Sequence, residues 1–120
     1  PAPLAEGGRR LREHLHEPFN AVGLNFYRDG RDSVAPHGDK LHMLVEGHPI
    51  ALLSLGAVRR MTIRDIATRH AQRIDLEPGS LLVMSHASQL THEHGIPKTR
   101  EPVGPRVSLA YRVRPAKSSR

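Results

Sequence analysis

From Ala21 to Val113 the sequence sustains no apolar run longer than about seven residues, and most runs stop at a Gly, Pro or Asp that turns the chain. Segments that short are strands rather than helices. A set of them can bury its apolar sides only by stacking in two layers or by closing on itself, which is a β-sandwich or jelly roll. Gly23–Tyr27 reads as a first strand, followed by the polar turn 28–32 and a returning strand over Ser33–His37. Pro49–Leu55 is an apolar run closed by Gly56. Arg60-Met61-Thr62-Ile63-Arg64 alternates basic and apolar, as a half-buried strand does. Arg73–Leu76 precedes the turn Glu77-Pro78-Gly79, Ser80–Met84 reads as a buried strand, and Val107–Val113 closes the series. Before all of these, Leu4, Leu11 and Leu15 fall at helical spacing, and Pro18 ends the segment that starts at Leu4. Gly7-Gly8 weakens its first half. The expected architecture is therefore mainly β, with one N-terminal helix packed outside.

The 120 residues form one domain with a modest core. With no cysteine, disulfides, thiolate nucleophiles and zinc-thiolate sites are excluded. No apolar run approaches the ~20 residues that cross a bilayer, so no membrane is expected and a cytoplasmic location is the default. Eighteen Lys and Arg against twelve Asp and Glu give a net charge of +6, a surface that draws a polyanion and equally one that keeps a small domain soluble. Arg112, Arg114, Lys117 and Arg120 crowd the C-terminus, and 115–120 reads as a frayed basic tail. The opening Pro-Ala-Pro is consistent with a removed initiator Met or with a fragment of something longer.

His37-Gly38-Asp39 is the strongest local constellation. In extended chain, residues two apart share a face, so imidazole and carboxylate converge on one point. One further histidine would complete a two-His, one-carboxylate set, which leaves open positions on Fe(II). Alone, H-x-D arises easily by chance in a chain with nine histidines. His92 and His94 both offer the third ligand, and spacing does not choose between them.

From Asn25 to Arg114 the sequence resembles the catalytic core of the AlkB family of Fe(II)/2-oxoglutarate dioxygenases, with its blocks in family order. Asn25-Phe26-Tyr27 resembles the N-x-Y strand, Asp29-Gly30 the following turn, and His37-Gly38-Asp39 the H-x-D metal pair. Ser54-Leu55-Gly56 with the Arg60–Arg64 strand, then Gly79-Ser80-Leu81-Leu82-Val83-Met84, resemble the middle blocks. His94-Gly95-Ile96-Pro97 resembles the segment carrying the distal iron histidine, and Pro105–Arg112 the closing R-x-N-L-T-F-R motif. The resemblance implies a double-stranded β-helix (a cupin-like jelly roll) and makes His94 rather than His92 the third ligand beside His37 and Asp39. It also implies Arg106 on the distal carboxylate of 2-oxoglutarate, as suits a planar guanidinium fork. Tyr27 and Asn25 would assist, Ser108 would line the cosubstrate pocket in place of the usual Asn, and Arg112 would sit beside Asp39. Fe(II), 2-oxoglutarate and O2 are the implied cofactors.

The implied reaction is oxidative demethylation of alkylated bases in single- or double-stranded nucleic acid by a monomeric enzyme, releasing succinate, CO2 and formaldehyde. Several positions depart from the repair-type pattern. Only about two dozen residues precede Asn25, and Phe19 is the one aromatic among them, so most of a substrate lid is expected to be missing. Lys40 and Leu41 stand where an acidic residue reads the base edge, with His42 a substitute or a surface residue. Tyr111 replaces Phe conservatively, and Glu93 makes the pocket wall before the iron histidine more polar. These departures favour two alternatives: an AlkB-like oxygenase acting on protein or a small molecule, and a non-catalytic metal-binding jelly-roll module.

Overall fold

A computed structural model describes residues 2–39 and 43–115. Lys40, Leu41, His42, Lys117 and Arg120 lie outside the described residues, as do 116–120 of the expected tail and the side chain of Leu4. Helix α1 spans Ala2–Leu15, and the strands are β1 Ala21–Tyr27, β2 Val34–His37, β3 Ile50–Gly56, β4 Arg59–Asp65, β5 Ala71–Leu76 and β6 Leu81–Met84. A four-residue helix α2, Ser88–Thr91, then leads into β7, His92–Ile96, and β8 is Arg106–Arg112. Two four-stranded antiparallel sheets result, ordered β1-β8-β3-β6 and β2-β7-β4-β5. Apart from the β4–β5 hairpin, successive strands cross between the layers, as in a jelly roll.

Side-chain parity explains the two sheets' different texts. In β3 and β8 both faces are covered. Leu52 and Ala110 point between the sheets with Tyr27, Met61, Leu76 and Ile96, while Ala51, Leu109 and Tyr111 point outward beneath Leu11, Leu15 and Phe19. Strands buried on both faces read as continuous apolar runs. The second sheet has one covered face, so β4 alternates: Met61 is buried and Arg60 exposed.

The helix ends two residues earlier than Pro18 alone would require, because His16 takes φ 54° and turns the chain away. Gly7 and Gly8, a weakness for helix propensity, are what let α1 approach the sheet: a Cβ on Gly7 would come within 2.9 Å of the Tyr111 hydroxyl oxygen. The expectation of a buried strand over Ser80–Met84 is corrected. Strand β6 is an edge strand paired only with β3, and Val83 is exposed. No helix among the described residues is long and apolar enough to cross a membrane.

Candidate metal centre

Strands β2 and β7 pair with His37 opposite His94, which brings the two imidazole centroids within 4.5 Å. Two residues on, Asp39 adds a carboxylate, and ligand atoms of all three side chains lie within 4.8 Å of one another. The Nδ1 of His37 lies 3.0 Å from the Ala35 carbonyl oxygen. With Nδ1–H donating there, the Nε2 lone pair is left for a metal. Two imidazoles and a carboxylate on one face are a donor set that fits Fe(II).

Asp39 is held from two sides. Arg112 reaches across from β8 and donates through Nε to Oδ2 and through Nη2 to Oδ1, the latter at 3.3 Å. The backbone N–H of Asp39 donates to the Gln89 side-chain oxygen at 2.9 Å. Burial pushes the His94 imidazole down to about 4, with the His37 and Arg112 charges adding to the effect and Asp39 opposing it. His94 is therefore neutral, as a metal ligand must be, across ordinary pH.

The other end of the cavity is built by register. Arg106 on β8 lies opposite Tyr27 on β1 and Gly56 on β3, and Ser108 lies opposite Asn25 and Ser54. Arg106 is 1% exposed. Its Nη2 donates to the Ser54 hydroxyl at 2.9 Å, and its guanidinium carbon lies 4.9 Å from the Tyr27 ring centroid. Arg59 approaches the same ring at 5.6 Å. Among the described residues, Nε and Nη1 of Arg106 are buried with no hydrogen-bond partner. Burial lowers the Arg106 pKa, as expected for a cation short of anionic partners. The cavity that His37 and His94 line also takes in Tyr27 and Ser108, and a buried cation with two free donors set against Tyr27 suits an anionic ligand. Asn25 lines that cavity from an exposed position, and Ser108 is buried in its wall.

His92 is not brought to the group; it lies 3.8 Å from Asp65, at the far end of the β4–β7 pairing. Glu93 does not make the cavity wall polar as expected. Adjacent to His94 on a strand, it points the opposite way, and its carboxylate lies 3.9 Å from Arg69. Two contributors escaped sequence reasoning. Gln89 is five residues before His94 in a segment with no pattern of its own. Arg59, buried at 3% exposure, donates to the carbonyls of Asp29, Asp32 and Pro97, and nothing in the sequence separates it from exposed Arg60.

Residues 3–113 match the family profile described as the 2OG-Fe(II) oxygenase superfamily. The chain belongs to this superfamily. Among 2OG-Fe(II) oxygenases its similarity is to AlkB-type members. It is 33% identical to the DNA oxidative demethylase ALKBH2 of Homo sapiens over 93% of this chain and 48% of that protein. It is 36% identical to the alpha-ketoglutarate-dependent dioxygenase alkB homolog 3 of Mus musculus, over 87% of this chain and 40% of that protein. The chain thus spans about half the length of the curated relatives it matches. A solved structure described as that of OsALKBH1 shares the fold at TM-score 0.62 and 20% identity, covering 93% of this chain and 60% of that one. An oxygenase superfamily defined by Fe(II) and 2-oxoglutarate agrees with the three-ligand group and with the buried guanidinium set against the Tyr27 wall of its cavity.

Proposed function

We propose that this chain is the catalytic core of an Fe(II)- and 2-oxoglutarate-dependent oxygenase that oxidatively demethylates alkylated nucleic acid bases. The observation that carries the reading is the His37, Asp39 and His94 group, with ligand atoms within 4.8 Å of one another, beside Arg106, a buried cation set against the Tyr27 wall of their cavity with two donors unpaired among the described residues. An ion of that kind is costly unless an anionic partner completes it. His37, Asp39 and His94 would hold the metal, and Arg106, with Tyr27 and Ser108 beside it, would take the far carboxylate of the cosubstrate. Arg112 keeps the Asp39 carboxylate turned toward the metal. Bound there, Fe(II) supplies the oxidation: O2 and 2-oxoglutarate give succinate and CO2 while an N-methyl C–H becomes C–OH, and the hemiaminal then loses formaldehyde. The walls, built from Leu52, Met61 and Ile96, keep water from the reacting side.

Nucleic acid as substrate is supported by the named activity of the human relative and by charge. A cleft of about 650 Å³ is lined by Arg60, Arg73 and Lys98 together with Asp75 and Glu101. Cations so placed suit a phosphate backbone.

The test has two stages. Anaerobic addition of Fe(II) and then 2-oxoglutarate to the purified chain should give a saturable visible charge-transfer band, absent in His37→Ala. In air, a methylated oligonucleotide should then be converted with succinate and formaldehyde in equal amounts. A normal band with every methylated oligonucleotide left untouched would exclude the nucleic acid reading and leave an oxygenase of another substrate class. A folded chain with no band would leave the non-catalytic alternative.

A further inference from the structure

We infer that Gln89 is the positioning residue for the carboxylate ligand Asp39, an inference that rests on the metal reading of the His37, Asp39 and His94 group. The β2–β7 ladder pairs Val34 with Ile96 and His37 with His94, with an irregularity between them. Its last pair is at His37, so Asp39 lies beyond the reach of the sheet's own hydrogen bonds. Among the described residues, what fastens the backbone at Asp39 is the bond from its N–H to the Gln89 Oε1, 2.9 Å long.

The surrounding contacts show that Gln89 is fixed for this task. It is 7% exposed, and its Nε2 donates to the Ser88 hydroxyl at 3.3 Å. That hydroxyl in turn donates to the Ser85 carbonyl at 2.7 Å. A backbone N–H can only donate, so the amide oxygen must face Asp39 and the amide nitrogen must face Ser88. Gly38 brings the backbone close enough for the bond: a Cβ there would stand 2.9 Å from the Gln89 carbonyl oxygen and 3.5 Å from that of His92. Gln89 therefore meets the 38–39 turn with both its backbone and its side chain.

The consequence concerns the metal. Segment 88–94 carries one ligand, His94, and fixes the backbone of another, Asp39. With Arg112 fixing the carboxylate, Asp39 is constrained at both ends, and beyond the β2–β7 ladder its backbone is tied to the His94 segment by the Gln89 amide.

Gln89→Met keeps most of the volume and removes the acceptor, whereas Gln89→Glu keeps an acceptor at the same reach. We expect Gln89→Met to remain folded by circular dichroism, to bind Fe(II) about ten- to a hundredfold more weakly, and to show an altered visible spectrum with Co(II). Gln89→Glu should restore Fe(II) affinity to within about threefold of the wild type, together with its Co(II) spectrum. A folded Gln89→Met with wild-type affinity and spectrum would overturn the inference. An unfolded Gln89→Met would make the residue a packing element instead, and a Gln89→Glu as impaired as Gln89→Met would remove the acceptor argument. Wild-type protein that takes up no Fe(II) or Co(II) would sink the metal reading itself, a failure distinct from these.

Discussion

Arg112 and Asp39, 73 positions apart in the chain, form a two-point contact, Nε to Oδ2 and Nη2 to Oδ1, in which both side chains are largely buried. The pair ties the closing strand β8 to the turn after β2, so one guanidinium orients the proposed metal ligand while lining the cavity beside His37 and His94. Planar paired donation is what a lysine ammonium cannot reproduce. Arg112→Lys should keep the charge yet weaken Fe(II) binding by about tenfold or more. Equilibrium titration followed by the charge-transfer band would read this, and an affinity equal to wild type would show that Asp39 needs no such clamp.

His94 and His92 differ by two positions and should differ completely in effect. His94→Ala removes a ligand, and both metal uptake and turnover should be lost. His92→Ala removes contacts to Asp65 and to the Thr91 hydroxyl, away from the metal group, and should leave metal affinity within about twofold, in line with a surface substitution. Metal content after dialysis separates the two; the reverse pattern would mean that the third ligand is misassigned.

Arg106→Met should act oppositely on stability and on binding. Without a ligand, the wild-type protein buries a cation with two unpaired donors, and replacing it by an apolar side chain of similar length removes that cost. Metal-free Arg106→Met should melt at or above the wild-type temperature, gaining about 1–2 kcal/mol, while 2-oxoglutarate affinity falls by a factor on the order of 100. Fe(II) affinity should change little. Thermal melts with and without 2-oxoglutarate test both halves; equal loss of metal and cosubstrate binding would point to disruption of the whole cavity.

The depressed His94 pKa sets a pH dependence for the metal-free fold. Its ordinary value of 6.5 falls to about 4 in the folded chain, chiefly through burial. Between these values the unfolded chain binds a proton that the folded one does not, so stability rises with pH across that window. Urea unfolding of the metal-free protein should show a loss of roughly 2–3 kcal/mol attributable to this group as pH falls from 6.5 to 4. His94→Asn, which does not titrate, should have a correspondingly flatter profile; identical slopes in the two proteins would rule His94 out as the source.

Much of this was legible in the sequence because strands announce themselves by parity and turns. The series of short strands, the outer helix, the half-buried β4 and the H-x-D spacing all follow from residues near one another in the chain. Resemblance to a family added the choice of His94, which spacing alone left open. Other features belong to the tertiary structure because they depend on pairing between distant segments. Burial of β6 could not be judged without knowing that it stands at an edge. Glu93 could be placed beside the iron histidine by order, but only the pleat turns it outward toward Arg69. Arg59 and Arg60 look alike in sequence, yet one is sealed under three carbonyls and the other exposed, because neighbours on strand β4 point to opposite faces of the sheet. Sequence by itself thus determined which chemistry the chain carries. Only the fold decided which groups share a cavity and which donors remain unpaired there, because register across β1, β8 and β3 sets the neighbours of Arg106, and a single short helix brings Gln89 to Asp39.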